Sequence, residues 1–112
     1  MKKILFFIFL VSFFNTTSFA GEYANGREIT DIGCHSINGT CYVTLSGDSF
    51  GTTLGCTNTA THEFRFDDAD TTNGKRAYAS LLAAFLTNKT VDVFLDGCTS
   101  QGAPKLQYFH VR

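Results

Sequence analysis

Gly74 to Cys98 reads GKRAYASLLAAFLTNKTVDVFLDGC, a helical stripe that runs straight into an alternating strand ending on a cysteine. Ala77, Leu81, Ala84 and Phe85 fall at i, i+4, i+7 and i+8, and Tyr78, Leu82 and Leu86 widen the stripe. The spacing predicts a helix of about four turns with most of its circumference in need of cover. Asn73 or Thr72 suits its start, and Asn88 suits the left-handed position beyond its last turn. Thr90-Val91 is β-branched and opens an extended run in which Val91, Val93 and Leu95 alternate with Asp92, Phe94 and Asp96. A helix this apolar must lie on a sheet, so the rest of the chain has to supply strands.

On the N-terminal side, the acidic run from Asp67 to Gly74 places negative charge near the positive helix end. His62 to Phe66 alternates Phe64 and Phe66 with charged residues, the pattern of a half-buried strand. A short strand is expected over Thr52 to Cys56, another over Thr40 to Leu45, and a first over Glu28 to Cys34. Asn38-Gly39 predicts a two-residue type I′ turn, because both of its central positions need positive φ. That register opposes Ser36 to Cys41 and Cys34 to Val43, leaving Cys34 and Cys41 as diagonal neighbours on one face. On the C-terminal side, a loop with the only proline, Pro104, leads to Lys105–Val111, with Leu106, Tyr108 and His110 opposite Gln107, Phe109 and Val111. The expected order is β-β-β-β-α-β-β, mainly β with one helix, as a small antiparallel OB-like barrel whose open end the helix plugs. A roll of antiparallel sheet with the helix on one face is the alternative.

Residues 1–20 have the pattern of a secretory signal: Lys2 and Lys3, an apolar run from Leu5 to Phe14, and Ser18-Phe19-Ala20 as a small-x-small cleavage site. The run is shorter than the ~20 residues that span a bilayer, and no membrane span is expected after cleavage. Residues 21–112 form one domain with no repeat or linker. The paired lysines give the signal a bacterial look, so a secreted or periplasmic location is expected. Of nine Lys plus Arg and ten Asp plus Glu, two lysines leave with the signal, so the remainder carries about −3. Its basic residues are dispersed, which argues against nucleic acid.

All four cysteines, Cys34, Cys41, Cys56 and Cys98, follow the signal, and an even count in an exported small domain predicts two disulfides. Three connectivities are open. His35 beside Cys34 lacks a second Cys/His pair at zinc-finger spacing, and Asp67, Asp68 and Asp70 lack the glycine and distal glutamate of a calcium loop. No metal or cofactor is therefore expected. His62 and Glu63 point to opposite faces of a strand, and no serine sits in a nucleophile elbow, so no catalytic set assembles and an enzyme is not expected.

Cys41-Tyr42, Cys56 fifteen residues later, the helix Arg76–Phe85, and Asn88-Lys89-Thr90-Val91-Asp92-Val93 with Cys98 just past the strand resemble the OB-fold B subunits of AB5 toxins. The likeness is to the subtilase-cytotoxin and pertussis-like group and to related small exported bacterial proteins, over about two thirds of the chain after the signal. For the disulfides it implies either Cys41–Cys56 with Cys34–Cys98, as in the toxin subunits, or Cys56–Cys98 with Cys34–Cys41, as in the small exported proteins. The second is preferred, because the predicted hairpin also brings Cys34 and Cys41 together. The resemblance further implies a glycan ligand and a homo-oligomeric ring, a pentamer in the toxins. The binding residues it points to are Ser46, Ser49 and Thr52, with Tyr42 as an aromatic neighbour. The expected function is an exported, non-catalytic, glycan-binding module. The alternative is a periplasmic structural or interaction protein, or an inhibitor, that binds another exported protein through a sheet edge.

Overall fold

The computed structural model describes residues 20–112, so the apolar run of the expected signal lies outside the described residues. Five strands close into a barrel in the order β1-β2-β3-β5-β4, with one helix between the third and fourth. They are β1 (Glu22–Cys34), β2 (Cys41–Leu45), β3 (Glu63–Phe66), β4 (Thr90–Cys98) and β5 (Pro104–Val111), and the helix α1 spans Thr72–Leu86. All neighbouring strands are antiparallel except β3 and β5, which run parallel and pair at Arg65 and Lys105. This is the OB-type arrangement.

β1 is the longest strand and the one that closes the barrel. Its N-terminal part pairs with β4, from Glu22 opposite Leu95 to Glu28 opposite Thr90, and its C-terminal part pairs with β2. The expected start at Glu28 is therefore six residues late. Gly26, with φ 65°, sits in a register shift between Ala24 and Arg27 that hides the alternation of this half from the sequence. A second shift, between Ile29 and Asp31, turns Ile29 inward, while Ile32 packs against the same core. The poor alternation of Glu28–Cys34 has this bulge as its cause.

The strand expected over Thr52 to Cys56 does not form. Gly51 and Gly55 are both left-handed, at φ 90° and 72°, and they bracket a 3-10 turn over Thr52–Leu54 that buries Leu54. Three strands, not four, precede the helix. The hairpin also differs from its expected register, since Cys34 pairs directly with Cys41 and His35 N–H donates to the Thr40 carbonyl at 2.9 Å. Neither Asn38 nor Gly39 has positive φ, so the type I′ turn gives way to a wider loop. Within it the Asn38 side chain accepts from the Thr40 N–H at 3.2 Å.

The core lies inside the barrel: Val43 and Leu45 of β2, Phe64 and Phe66 of β3, Val91, Val93 and Leu95 of β4, and Ala24 and Ile29 of β1. Leu81 and Ala84 of α1 complete it, while Ala77, Tyr78 and Phe85 pack at its margin. The helix begins one residue beyond its cap: Thr71, not Thr72 or Asn73, is extended, and its hydroxyl accepts from the Gly74 N–H at 3.1 Å. It ends as its sequence implies, with Asn88 left-handed at φ 55°. Two disulfides brace the barrel, Cys34–Cys41 across the β1–β2 hairpin and Cys56–Cys98 from the loop after the 3-10 turn to the end of β4, with Cα separations of 3.9 and 5.6 Å. At one end of the barrel the buried Thr40 hydroxyl donates to Asp67 Oδ1 at 3.3 Å and accepts from Gln101 Nε2 at 3.0 Å, tying three loops together. Among the described residues no helix is long and apolar enough to cross a membrane.

Candidate functional site

The residues singled out from the sequence fall on separate features. Ser46 is consumed by the fold: its Oγ accepts from the Glu28 N–H at 2.9 Å and its carbonyl accepts from Arg27 at 2.8 Å. Ser49 is exposed in the following loop, and Thr52 opens the 3-10 turn beside a groove of about 340 Å³ shared with Thr57, Thr59 and Pro104. Tyr42 stands on the outer face of β2, between the His35 ring at 5.9 Å and the Arg65 guanidinium at 6.0 Å. A side chain at Gly33 would collide with its ring. His62 is also spoken for, with its two ring nitrogens on Thr61 Oγ1 at 2.9 Å and on the Gly47 carbonyl at 3.1 Å. Among the described residues no group of three or more His, Cys, Asp or Glu is placed to hold a metal ion.

The concentration of chemistry lies on the opposite sheet, on the outer face of β1, β4 and β5. Register puts Tyr23 opposite Phe94 and Phe94 opposite Tyr108, so three aromatic residues share one rung, and their rings gather in a triangle with the Tyr23 and Tyr108 centroids 6.3 Å apart. Their centroids are 4.6 Å apart for Tyr23–Phe94 and 5.2 Å for Phe94–Tyr108, both tilted. Tyr108 OH donates to Tyr23 OH at 2.8 Å, which locks the outer two rings to each other. That bond is the first cause, ahead of desolvation, that raises the Tyr108 phenol above its ordinary pKa. Tyr23 and Tyr108 are nonetheless 61% and 45% exposed, against the tendency of aromatic surface to be covered.

The next rungs are polar. Asp92 faces His110, and Arg112 lies just past the end of β5. Asp92 Oδ1 accepts from the Gly26 N–H at 2.7 Å and Oδ2 pairs with Arg112 Nε at 2.6 Å. The Gly26 amide first, and the Arg112 guanidinium after it, hold the Asp92 carboxyl below the usual carboxylate range against its desolvation. Tyr23, Asn25, Asp92, Tyr108, His110 and Arg112 together wall a shallow depression of about 180 Å³.

Sequence reasoning missed this face for a definite reason. Alternation placed Leu106, Tyr108 and His110 together, but the β4–β5 register shifts between Phe94 and Leu95, so Leu106 pairs with Leu95 and Tyr108 with Phe94. Leu106 and Phe109 pack on the core while Tyr108 remains half exposed outside. Tyr23 lies in the part of β1 not read as strand. The signal available was an aromatic at an outward position on each of two strands predicted to be neighbours, Phe94 and Tyr108. No protein-family model matches the chain, nor does any curated protein or solved structure. The site therefore has to be read from its own geometry.

Proposed function

We propose that the protein is an exported, non-catalytic binding module that holds a sugar ring on the Tyr23–Phe94–Tyr108 face. The observation that carries the reading is the aromatic cluster with its two exposed tyrosines, pinned by the Tyr23–Tyr108 hydrogen bond and bordered by Asn25, Asp92 and His110. A pyranose has an apolar C–H face and a rim of hydroxyls. The first stacks on an aromatic ring, and the second needs donors and acceptors together: an amide and an imidazole supply both, and a carboxylate accepts. Nucleic acid would also stack, but this surface offers no row of cations to follow phosphates.

A depression of about 180 Å³ takes one ring and leaves the rest of a chain in solvent. Rigid tyrosines lose little freedom on binding, which favours such a shallow site. Two disulfides fit an oxidising compartment outside the cytosol. The likeness to OB-fold toxin B subunits points to the same ligand class.

The test is a glycan array probed with the oxidised protein, followed by titration calorimetry on any glycan that binds. Binding to a defined terminal sugar, weakened about tenfold or more in Tyr108→Ala and in Tyr23→Ala, is the expected result. Silence across neutral and acidic glycans, or binding indifferent to both substitutions, would remove the proposal.

A further inference from the structure

β5 outruns its parallel neighbour. β3 is four residues long and ends at Phe66, whereas β5 continues for six residues past Lys105, the residue that pairs with β3. The chain after β3 turns away into the helix: the Ala69 N–H donates to the Gly39 carbonyl and the Thr71 N–H to the Asp68 carbonyl, each at 2.9 Å. Among the described residues no strand pairs with Gln107–Val111 on the side away from β4.

The direction of the unpaired groups follows from the ladder. Thr90 and Arg112 exchange both backbone hydrogen bonds, at 3.2 and 2.8 Å. In an antiparallel pair such residues alternate with residues whose N–H and C=O point the other way. Asp92–His110 and Phe94–Tyr108 are then the next bonded pairs, and the backbone groups of Phe109 and Val111 face outward from the sheet edge. Beside that edge, between β5 and the first turns of α1, lies a cleft of about 260 Å³ with Phe66, Ala77, Leu106 and Phe109 in its walls and Asp68 and Arg76 among its polar residues.

We propose that this edge binds an extended peptide segment of another protein, which adds a strand to β5 through Phe109 and Val111 and places an apolar side chain in the cleft. The outward N–H and C=O groups specify a strand, because only an extended backbone offers partners at their two-residue spacing. The cleft specifies more than a second copy of the same edge. Two β5 strands pairing with each other would satisfy the backbone but could offer that space only the side chains of β5 itself, whereas a free peptide can match an apolar residue to it. A peptide running along the edge fills both.

A phage-displayed library of random nonapeptides, panned against the oxidised full chain, supplies the probe. The expected outcome is enrichment of sequences with an apolar residue in an alternating pattern. With one such synthetic peptide bound, hydrogen exchange at the Phe109 and Val111 amides slows at least tenfold. Val111→Pro removes one outward N–H and leaves the β4 ladder intact, so it melts like the parent and loses the peptide. Ala77→Phe narrows the cleft and also loses it, which keeps the test readable if the proline variant misfolds. Tyr23→Ala, which strips the sugar face without touching the edge, leaves peptide binding unchanged. No enrichment, protection of other amides only, or full binding by both edge variants overturns the proposal. So does protection of Phe109 and Val111 that appears without peptide as protein concentration rises, since a second copy would then hold the edge.

Discussion

Gly26 takes φ 65° in the first bulge of β1, and that one left-handed residue aims its N–H at Asp92. Any side chain there would strain the backbone, although nothing lies near enough to clash. The sign of the resulting pH dependence follows from the direction of the shift. A carboxyl depressed in the folded state contributes stability that is complete above its unfolded pKa of about 3.9 and is lost as acid takes the pH through the lower folded value. Asp92→Asn is expected to flatten the dependence of Tm on pH below about 4 and to leave it unchanged near neutrality, as a series of calorimetric melts would show. The neighbouring tyrosines separate stacking from hydrogen bonding. Tyr108→Phe keeps the ring and loses the bond to Tyr23, so sugar binding should fall by less than in Tyr108→Ala; equal losses in calorimetry would assign the whole effect to the hydroxyl.

The start of α1 sets two element-scale effects against each other. Replacing a helix glycine by alanine ordinarily stabilises by about 1 kcal/mol. Gly74, however, is buried, and a Cβ there would run into the Asp68 carbonyl and the Ala69 backbone. The turn that enters the helix is held by the Thr71 N–H and hydroxyl on that same Asp68 carbonyl, at 2.9 and 2.6 Å, so it has little room to give. The clash wins: Gly74→Ala should destabilise by about 1–3 kcal/mol in urea unfolding, despite its better propensity. The helix and β4 were legible in the sequence because their patterns are long and periodic, and Leu81, Ala84, Val91, Val93 and Leu95 are all buried where that pattern puts them. What was illegible depends on single irregular residues. Gly51 and Gly55 convert an expected strand into a 3-10 turn, the wide Cys34–Cys41 loop shifts the hairpin register, and the bulge opposite Leu95 decides which side of β5 bears Tyr108. The sugar face needs the last of these together with the N-terminal half of β1, so local pattern could offer its parts but not their juxtaposition.

At the scale of the molecule, the two disulfides differ in what they constrain. Cys34–Cys41 closes a separation of 7 residues within a hairpin that is already paired, while Cys56–Cys98 closes 42 residues that include β3 and α1. Loop-closure entropy assigns about 2.5 kcal/mol to the first and about 4 kcal/mol to the second. The double variant Cys56→Ala/Cys98→Ala should therefore lower the unfolding free energy more than Cys34→Ala/Cys41→Ala, and an inverted order in guanidinium titrations would contradict the topology. The long span of β1 has a separate consequence for how the molecule is made. Its C-terminal half finds β2 within a few residues, but Glu22 and Tyr23 answer to Leu95 and Phe94, about 70 positions later in the chain. As the polypeptide is synthesised from its first residue onward, that leading half must wait unpaired until nearly everything else has emerged, so the strand that begins the domain is among the last to dock.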